Sequence, residues 1–220
     1  MKTDLTLPDE RMMVMSLCKP LARCAAAPVL LLVLTGLPIH AGTVVIVEES
    51  FESPVVVDAE KVDPVGWDRE HDYTQIWNSS TNLFTTPYGS QVVAIWIGSG
   101  VQTTNISDRL QPGVTYTLTF RAGNAFSTTG VPDPSNQYTA QILAGTNVIA
   151  SASAQTDTND MSEQGTVSVT TDGSHPNLGE IIGVRFSHTG AMYQSKTLID
   201  NVKLVAEETA EWKRTLFYGR

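Results

Sequence analysis

Asp200 is the residue with the clearest chemical demand. Alternation along the C-terminal run places Leu198, Asp200, Val202 and Leu204 on one strand face. An ionised carboxylate on an apolar face costs several kcal/mol unless it is paired or bound to a metal. Glu52 follows Phe51 just after the first β-branched run, and first and last strands of a sandwich commonly run close together. Hard oxygen ligands from both segments, completed by backbone carbonyls, suit a structural Ca²⁺. The alternatives are a salt bridge from Asp200 to Arg121 or Arg185, or hydrogen bonds from Asn201 and neighbouring amides.

Aromatic side chains are the second candidate group. Pyranose C–H groups stack on exposed rings while polar neighbours bind the hydroxyls. Trp77 stands beside Asn78-Ser-Ser80, with His71, Tyr73 and Tyr88 close in sequence, and Tyr138 and Tyr193 flank loops. Trp77, Tyr73, His71 and Tyr138 are therefore the candidate ligand-binding residues. The competing reading packs Trp77 and Tyr73 into the sandwich. Trp67, after Gly66, is expected in the core, and Trp96 shares a face with Val92 and Ala94 and is expected to pack.

Catalytic signatures are sparse. The sequence contains no Gly-x-Ser-x-Gly elbow and no His-Glu-x-x-His pair. His71, His175 and His188 lack metal-ligand spacing, and Asp157, Asn159 and Asp160 lack the Gly and terminal Glu of an EF-hand loop. A glycosidase needs two carboxylates across a sugar, and no particular pair is marked out. The acidic run from Asp58 to Asp72 reads as a solvated loop. Asn78 and Asn105 open glycosylation sequons, relevant only in a host that uses them.

These residues must be carried by strands. The 220 residues hold 14 Lys and Arg against 23 Asp and Glu, a net charge of −9, and charged residues make up only 17%. The first 41 residues contribute a net +1, and no basic run follows them. Nucleic-acid binding needs clustered cations, so it is excluded, and anionic membrane surfaces are disfavoured on the same ground. Residues 43–49, 74–78, 91–97, 101–106, 138–143, 148–153, 165–171, 181–188 and 196–206 read as strands. Residues 114–122 alternate most clearly: Val114, Tyr116, Leu118, Phe120 and Ala122 share one face, with Thr and Arg on the other. Ala144-Gly-Thr-Asn147 is a hairpin turn, and residues 58–72 and 125–136 are loops. About ten short strands without an amphipathic helix predict an all-β, antiparallel sandwich of jelly-roll type.

Residues 1–41 read as a signal peptide. Lys19 and Arg23 precede 13 mostly apolar residues, Ala25 to Leu37, too few for the ~20 that span a bilayer. Ala41 before Gly42 is a cleavage site. The long acidic start, followed by Met12, Met13 and Met15, suggests that one of these is the true first residue. Cys18 and Cys24 both lie in this leader, so the remainder has neither disulfides nor thiolate chemistry. The expected organisation is leader 1–41, sandwich 42–206 and tail 207–220, secreted or periplasmic, with no membrane anchor in the mature chain.

Several pieces carry a family resemblance: Glu49-Ser-Phe-Glu-Ser-Pro54, Gly66-Trp67, Gly89-Ser-Gln-Val-Val-Ala94, Leu110-Gln-Pro-Gly-Val-Thr-Tyr-Thr-Leu118, Gly123-Asn124, Tyr138-Thr-Ala-Gln-Ile-Leu-Ala-Gly145, Val148-Ile-Ala-Ser-Ala152, Gly183-Val-Arg-Phe186 and Ile199-Asp-Asn-Val-Lys-Leu204. Together they resemble bacterial secreted β-sandwich domains of galactose-binding-like, carbohydrate-binding-module type, over about residues 43–206. Relatives often carry a Pro-Glu-Pro sorting tail, which is not seen after Leu204. The resemblance implies that Glu52 and Asp200 hold a structural calcium. It also extends to the Stig cyclases, a specialised branch with an acid two residues before the Asp-Asn-Val motif, where this sequence has Leu198. The resulting expectation is a secreted, non-catalytic module that binds cell-surface or matrix polysaccharide. A structural or adhesive matrix protein and a cyclase-type enzyme are the alternatives.

Overall fold

A computed structural model describes residues 42–80, 84–125, 136–156, 160–190 and 196–209. The leader, the tail beyond 209, the loop centre at 126–135, Asp157, Asn159 and Tyr193 lie outside the described residues. Twelve strands and no helix occur among the described residues. They are β1 (Thr43–Glu49), β2 (Ala59–Glu60), β3 (Trp67–Arg69), β4 (Thr74–Asn78), β5 (Gln91–Trp96) and β6 (Gly100–Thr103). The rest are β7 (Val114–Asn124), β8 (Gln137–Ala144), β9 (Asn147–Gln155), β10 (Glu163–Thr170), β11 (Ile182–His188) and β12 (Lys196–Glu208). One sheet runs β10-β7-β12-β5-β4-β2 with β1 also on β12, and the other runs β3-β6-β11-β8-β9. Every pairing is antiparallel, so the expected all-β sandwich is the fold.

The alternation of β7 drives the assembly. Tyr116, Leu118, Phe120 and Ala122 point into the main core against Ile142, Val184 and Phe186 of the other sheet. Phe120 meets Phe186 edge-on at 4.9 Å, and Trp67 lies between Phe51 (5.4 Å) and Phe186 (6.2 Å). Edge and offset contacts of this kind add to the burial itself. Trp67 is thus a core residue, as its sequence context implies. The stretch 58–72, expected as one loop, contains β2 and β3. Two or three residues are too few to show alternation, and β3 is specified by its pairing with β6, Trp67 opposite Thr103.

β12 is the central strand. Along one edge Lys196–Ile199 pair with β5, and from Val202 onward β1 takes over. Along the other edge β7 runs the whole length, with a bulge between Asp200 and Lys203. Asn201 takes φ 47° there, a left-handed conformation that Asn tolerates better than most residues. The bulge corrects the expectation that Leu198, Asp200, Val202 and Leu204 share a face. Ile199, Val202 and Leu204 enter the main core, whereas Leu198 lies in a second apolar cluster with Trp77, Phe84, Val92, Ala94, Ala125 and Met161. That cluster covers the outer face of β4, β5 and β12. Lys196 and Asp200 flank Leu198 on it.

Candidate functional site

The outer face carries two adjoining arrangements, one ionic and one aromatic. The ionic one is centred on Asp200, which is fully buried. Its Oδ2 accepts from the Thr86 hydroxyl at 2.5 Å and its Oδ1 from the Asn201 amide at 2.6 Å. Burial pushes its pKa from 3.8 up to about 7; the two hydrogen bonds pull it down, and the charges of Glu52 and Glu49 push it further up. Neither arginine considered from the sequence neutralises it. Arg121 donates to the Ser162 carbonyl and lies over the Tyr88 ring, and Arg185 reaches Gln141 and Glu70.

Glu52 is held by the loop that ends at β5. Its carboxylate accepts from the Ser90 amide and hydroxyl, both 2.9 Å, and from the Gln91 amide, 2.8 Å. Gly89, at φ 136°, is required beside it, because a Cβ there would stand 2.3 Å from Glu52 Oε1. Buried Gln91 fixes the turn from below: its amide donates to the carbonyls of Phe51 and Pro54, and its oxygen accepts from the Val56 amide. Glu49 caps the same turn by accepting from the amides of Ser50 and Phe51. Two hard oxygen donors from the first and last segments therefore stand near one another without a cationic partner among the described residues. Among these residues no three acidic, histidine or cysteine side chains form a metal cage, so a cation here would draw its remaining ligands from carbonyl or water oxygens.

The aromatic arrangement surrounds Lys196. Trp77 and Trp96 meet edge to face at 5.4 Å, and Phe84 lies 6.5 Å from Trp77. The Lys196 ammonium stands 4.6 Å from the centre of one indole and 4.5 Å from the other. Trp77 Nε1 donates to Gln75, which sets the ring plane. Trp96 thus packs beside Val92 and Ala94 as expected and Trp77 packs as its alternative reading has it, but on the outside of the sheet rather than between the sheets. Of the other candidate ligand residues, Tyr73 adjoins Trp96, whose amide donates to its carbonyl at 3.3 Å, whereas Tyr138 stands apart from them. Tyr73 is exposed and His71 lies in the exposed turn before β4. Tyr138 is in the main core, edge-on to Phe120 at 5.5 Å, where burial raises its pKa. Thr86, Gly89, Gln91 and Lys196 escaped the sequence reading. Gly89 carries the one local signal, a Pro-Tyr-Gly turn before a strand; the others gain meaning only through cross-strand placement.

A twisted sandwich whose outer face is covered by aromatic side chains beside a buried carboxylate defines a class of scaffold. The family described as HpiC1-like, HpiC1 cyclase, matches residues 42–205. This chain belongs to that family. Crystal structures of a cyclase from Fischerella sp. TAU and of the apo form of a Fischerella sp. cyclase share 24% identity with it. They cover 76% of this chain and 99% and 98% of their own, each with a TM-score of 0.63. The Fischerella sp. TAU cyclase in complex with 4-(1H-indol-3-yl)butan-2-one is 25% identical, with a TM-score of 0.62 over 76% of this chain and 98% of its own. No protein of curated function matches the sequence.

These relationships overturn the expectation of a non-catalytic carbohydrate-binding module. The xylan-binding domain from Paenibacillus barcinonensis is 11% identical with a TM-score of 0.46, too distant to bear on function.

Proposed function

We propose that this protein is a cyclase that closes a ring in a flat aromatic substrate held at the outer face of β4, β5 and β12. The family match over residues 42–205 carries the reading. The Fischerella sp. TAU cyclase crystallised with an indolyl butanone makes indole-bearing compounds the substrate class to test first. Ring closure by attack of an electron-rich aromatic carbon builds positive charge in the substrate. Trp96, only partly buried, is the indole of this face open to such a substrate, beside the Lys196 ammonium that stands over it and over Trp77. Leu198 makes the middle of this face apolar, at the position where the resemblance to the Stig cyclase branch implies an acid. The test is incubation of the full chain with indole-bearing alkenes, followed by mass spectrometry for an isomer of unchanged mass and new retention time. Turnover that falls in Trp96→Leu is expected. No isomer from any substrate, beside an active Fischerella cyclase control, overturns the proposal.

We infer also that Glu52 and Asp200 hold a structural Ca²⁺, which would lock the turn after β1 to β12. The support is the buried carboxylate, its raised pKa, and the lack of a cationic partner among the described residues. Export is proposed for the precursor from the basic and apolar pattern of residues 1–41. N-terminal sequencing of exported protein tests it, with a chain beginning at Gly42 expected and an unprocessed Met1 terminus refuting it.

A further inference from the structure

We propose that the C-terminal segment of this chain, residues 210–220, docks on the open end of the sandwich and closes it, with Trp212 and Phe217 as the side chains that fill it. The inference stands whether or not the chain closes a ring. Val44 of β1, Ala206 of β12 and Tyr116 of β7 stand opposite one another across three neighbouring strands. Residues directly opposite in an antiparallel ladder share a face. Tyr116 is buried in the main core and Ala206 packs against that core, so Val44 belongs to the core face as well. It is nevertheless 54% exposed. With Ile46 and Val114 these side chains floor a cavity of about 400 Å³. Residues 108–111 wall it and are held in place. The Ile182 amide donates to the Asp108 carbonyl and the Leu110 amide to the Glu180 carbonyl, both at 2.9 Å, and the Gln111 amide donates to the Tyr116 hydroxyl at 2.8 Å. The cavity is therefore built into the fold, an inward-facing apolar surface that the strands leave uncovered.

The chain delivers its own occupant to this place. β12 runs out at the cavity: Glu208 lines it, and the Thr209 amide donates to the Gly113 carbonyl at 2.8 Å. Trp212 follows Glu208 by four residues, a reach of up to about 13 Å of extended chain, enough to turn back onto the cavity floor. The family match stops at residue 205, so residues 210–220 lie beyond the matched scaffold. They carry four large apolar or aromatic side chains, Trp212, Leu216, Phe217 and Tyr218. They also carry three cations, Lys213, Arg214 and Arg220, against the single acid Glu211, in a chain whose net charge is −9. The cavity presents the complement of both features. Its floor is apolar, and Asp108 and Glu208 line it beside Glu207, while the Arg109 guanidinium is engaged by the Gly179 carbonyl at 2.7 Å. Burial of an indole and a phenyl ring against Val44, Ile46 and Tyr116 supplies the stabilisation, and the cations beside the acidic rim set the orientation.

The experiment uses the full chain and hydrogen exchange read by mass spectrometry, comparing the parent with the double variant Trp212→Ala, Phe217→Ala. Peptides covering residues 43–47 and 108–117 are expected to exchange about fivefold or more faster in the variant, with residues 91–96 unchanged. Trp212→Phe gives a second reading that keeps an aromatic ring in place. The emission it removes from the parent, isolated as a difference spectrum, should be blue-shifted and shielded from acrylamide. Dilution by about a hundredfold should leave both results unchanged, because segment and cavity belong to one chain. Equal exchange in parent and double variant overturns the proposal, as does a Trp212 emission quenched as freely as that of a solvated indole. Protection that is lost on dilution overturns it too, since the cavity is then filled by the segment of a second copy.

Discussion

Replacing Asp200 by Asn should have opposite effects on stability depending on calcium. In metal-free protein the Asp200 carboxyl titrates at about 7 against an ordinary 3.8, because it is dry and faces Glu52 and Glu49. The folded state therefore binds a proton that the unfolded state has released. For this group, stability is greatest below pH 3.8, declines as pH rises, and levels off above about 7. At about 1.4 kcal/mol per pH unit, the full penalty at pH 8 is about 4 kcal/mol, and at pH 5 about 1–2 kcal/mol. Asn carries no charge; its Oδ1 can still accept from the Asn201 amide, while its Nδ2 replaces the oxygen that faced Thr86, whose hydroxyl can turn to accept from it. With a chelator at pH 8, Asp200→Asn should be more stable than the parent by about 2–4 kcal/mol, with a smaller gain at pH 5. With calcium in excess the order should invert, because the parent gains the binding free energy and the variant has lost a charged ligand. Urea denaturation of both proteins at pH 5 and 8, with chelator or with calcium, reads all of these terms. A chelated variant no more stable than the parent at pH 8 would refute the electrostatic argument. A parent indifferent to calcium would refute the site.

Two further substitutions test the supports of the site and core. Gln91→Met removes three hydrogen bonds to the turn that carries Glu52 and strands buried backbone groups, so a loss of about 3 kcal/mol is expected by chemical denaturation. Weakened calcium stabilisation should accompany that loss, and an unchanged midpoint would show that the turn is held by other means. Gly165→Ala places a Cβ 2.1 Å from Phe120 Cζ and should cost about 1–3 kcal/mol, whereas Gly173→Ala, with nothing within 4 Å, should be nearly neutral. Similar thermal midpoints for the two variants would contradict the packing at Phe120.

The longer strands were legible because their pattern is redundant. β1 and β4 have the expected bounds, and β7 shows five alternating core positions in a row. β2 and β3 were not legible, since so few residues carry no periodicity. Asp200 was recognised by a sound rule, a carboxylate amid apolar neighbours, but its face was misassigned. A bulge adds one residue to the alternation, and its only trace is an Asn at the position that takes φ 47°. The aromatic cage was illegible for a different reason. Trp77, Trp96 and Lys196 are separated by up to 119 residues and meet through the registers of β4, β5 and β12. Tryptophans beside Asn and Ser suit a sugar platform or a packed aromatic face equally well, and the contacts of Trp77 with Phe84 and Trp96 become visible only in the fold.

The bulge at Asn201 makes β12 a strand with a phase change. Upstream of it, even-numbered positions look outward; downstream, Val202 and Leu204 look inward. Straightening the bulge with every residue kept would turn one half of the strand over, driving either the carboxylate into the interior or the core residues out of it, whereas deletion of Asn201 would leave a regular ladder with both halves facing as they do. The same offset insulates the two halves from each other. Positions 196, 198 and 200 serve the second cluster and the buried carboxylate, while 202 and 204 secure the main core of the sandwich. One strand is thereby divided into a segment that anchors the two sheets and a segment that serves the outer face.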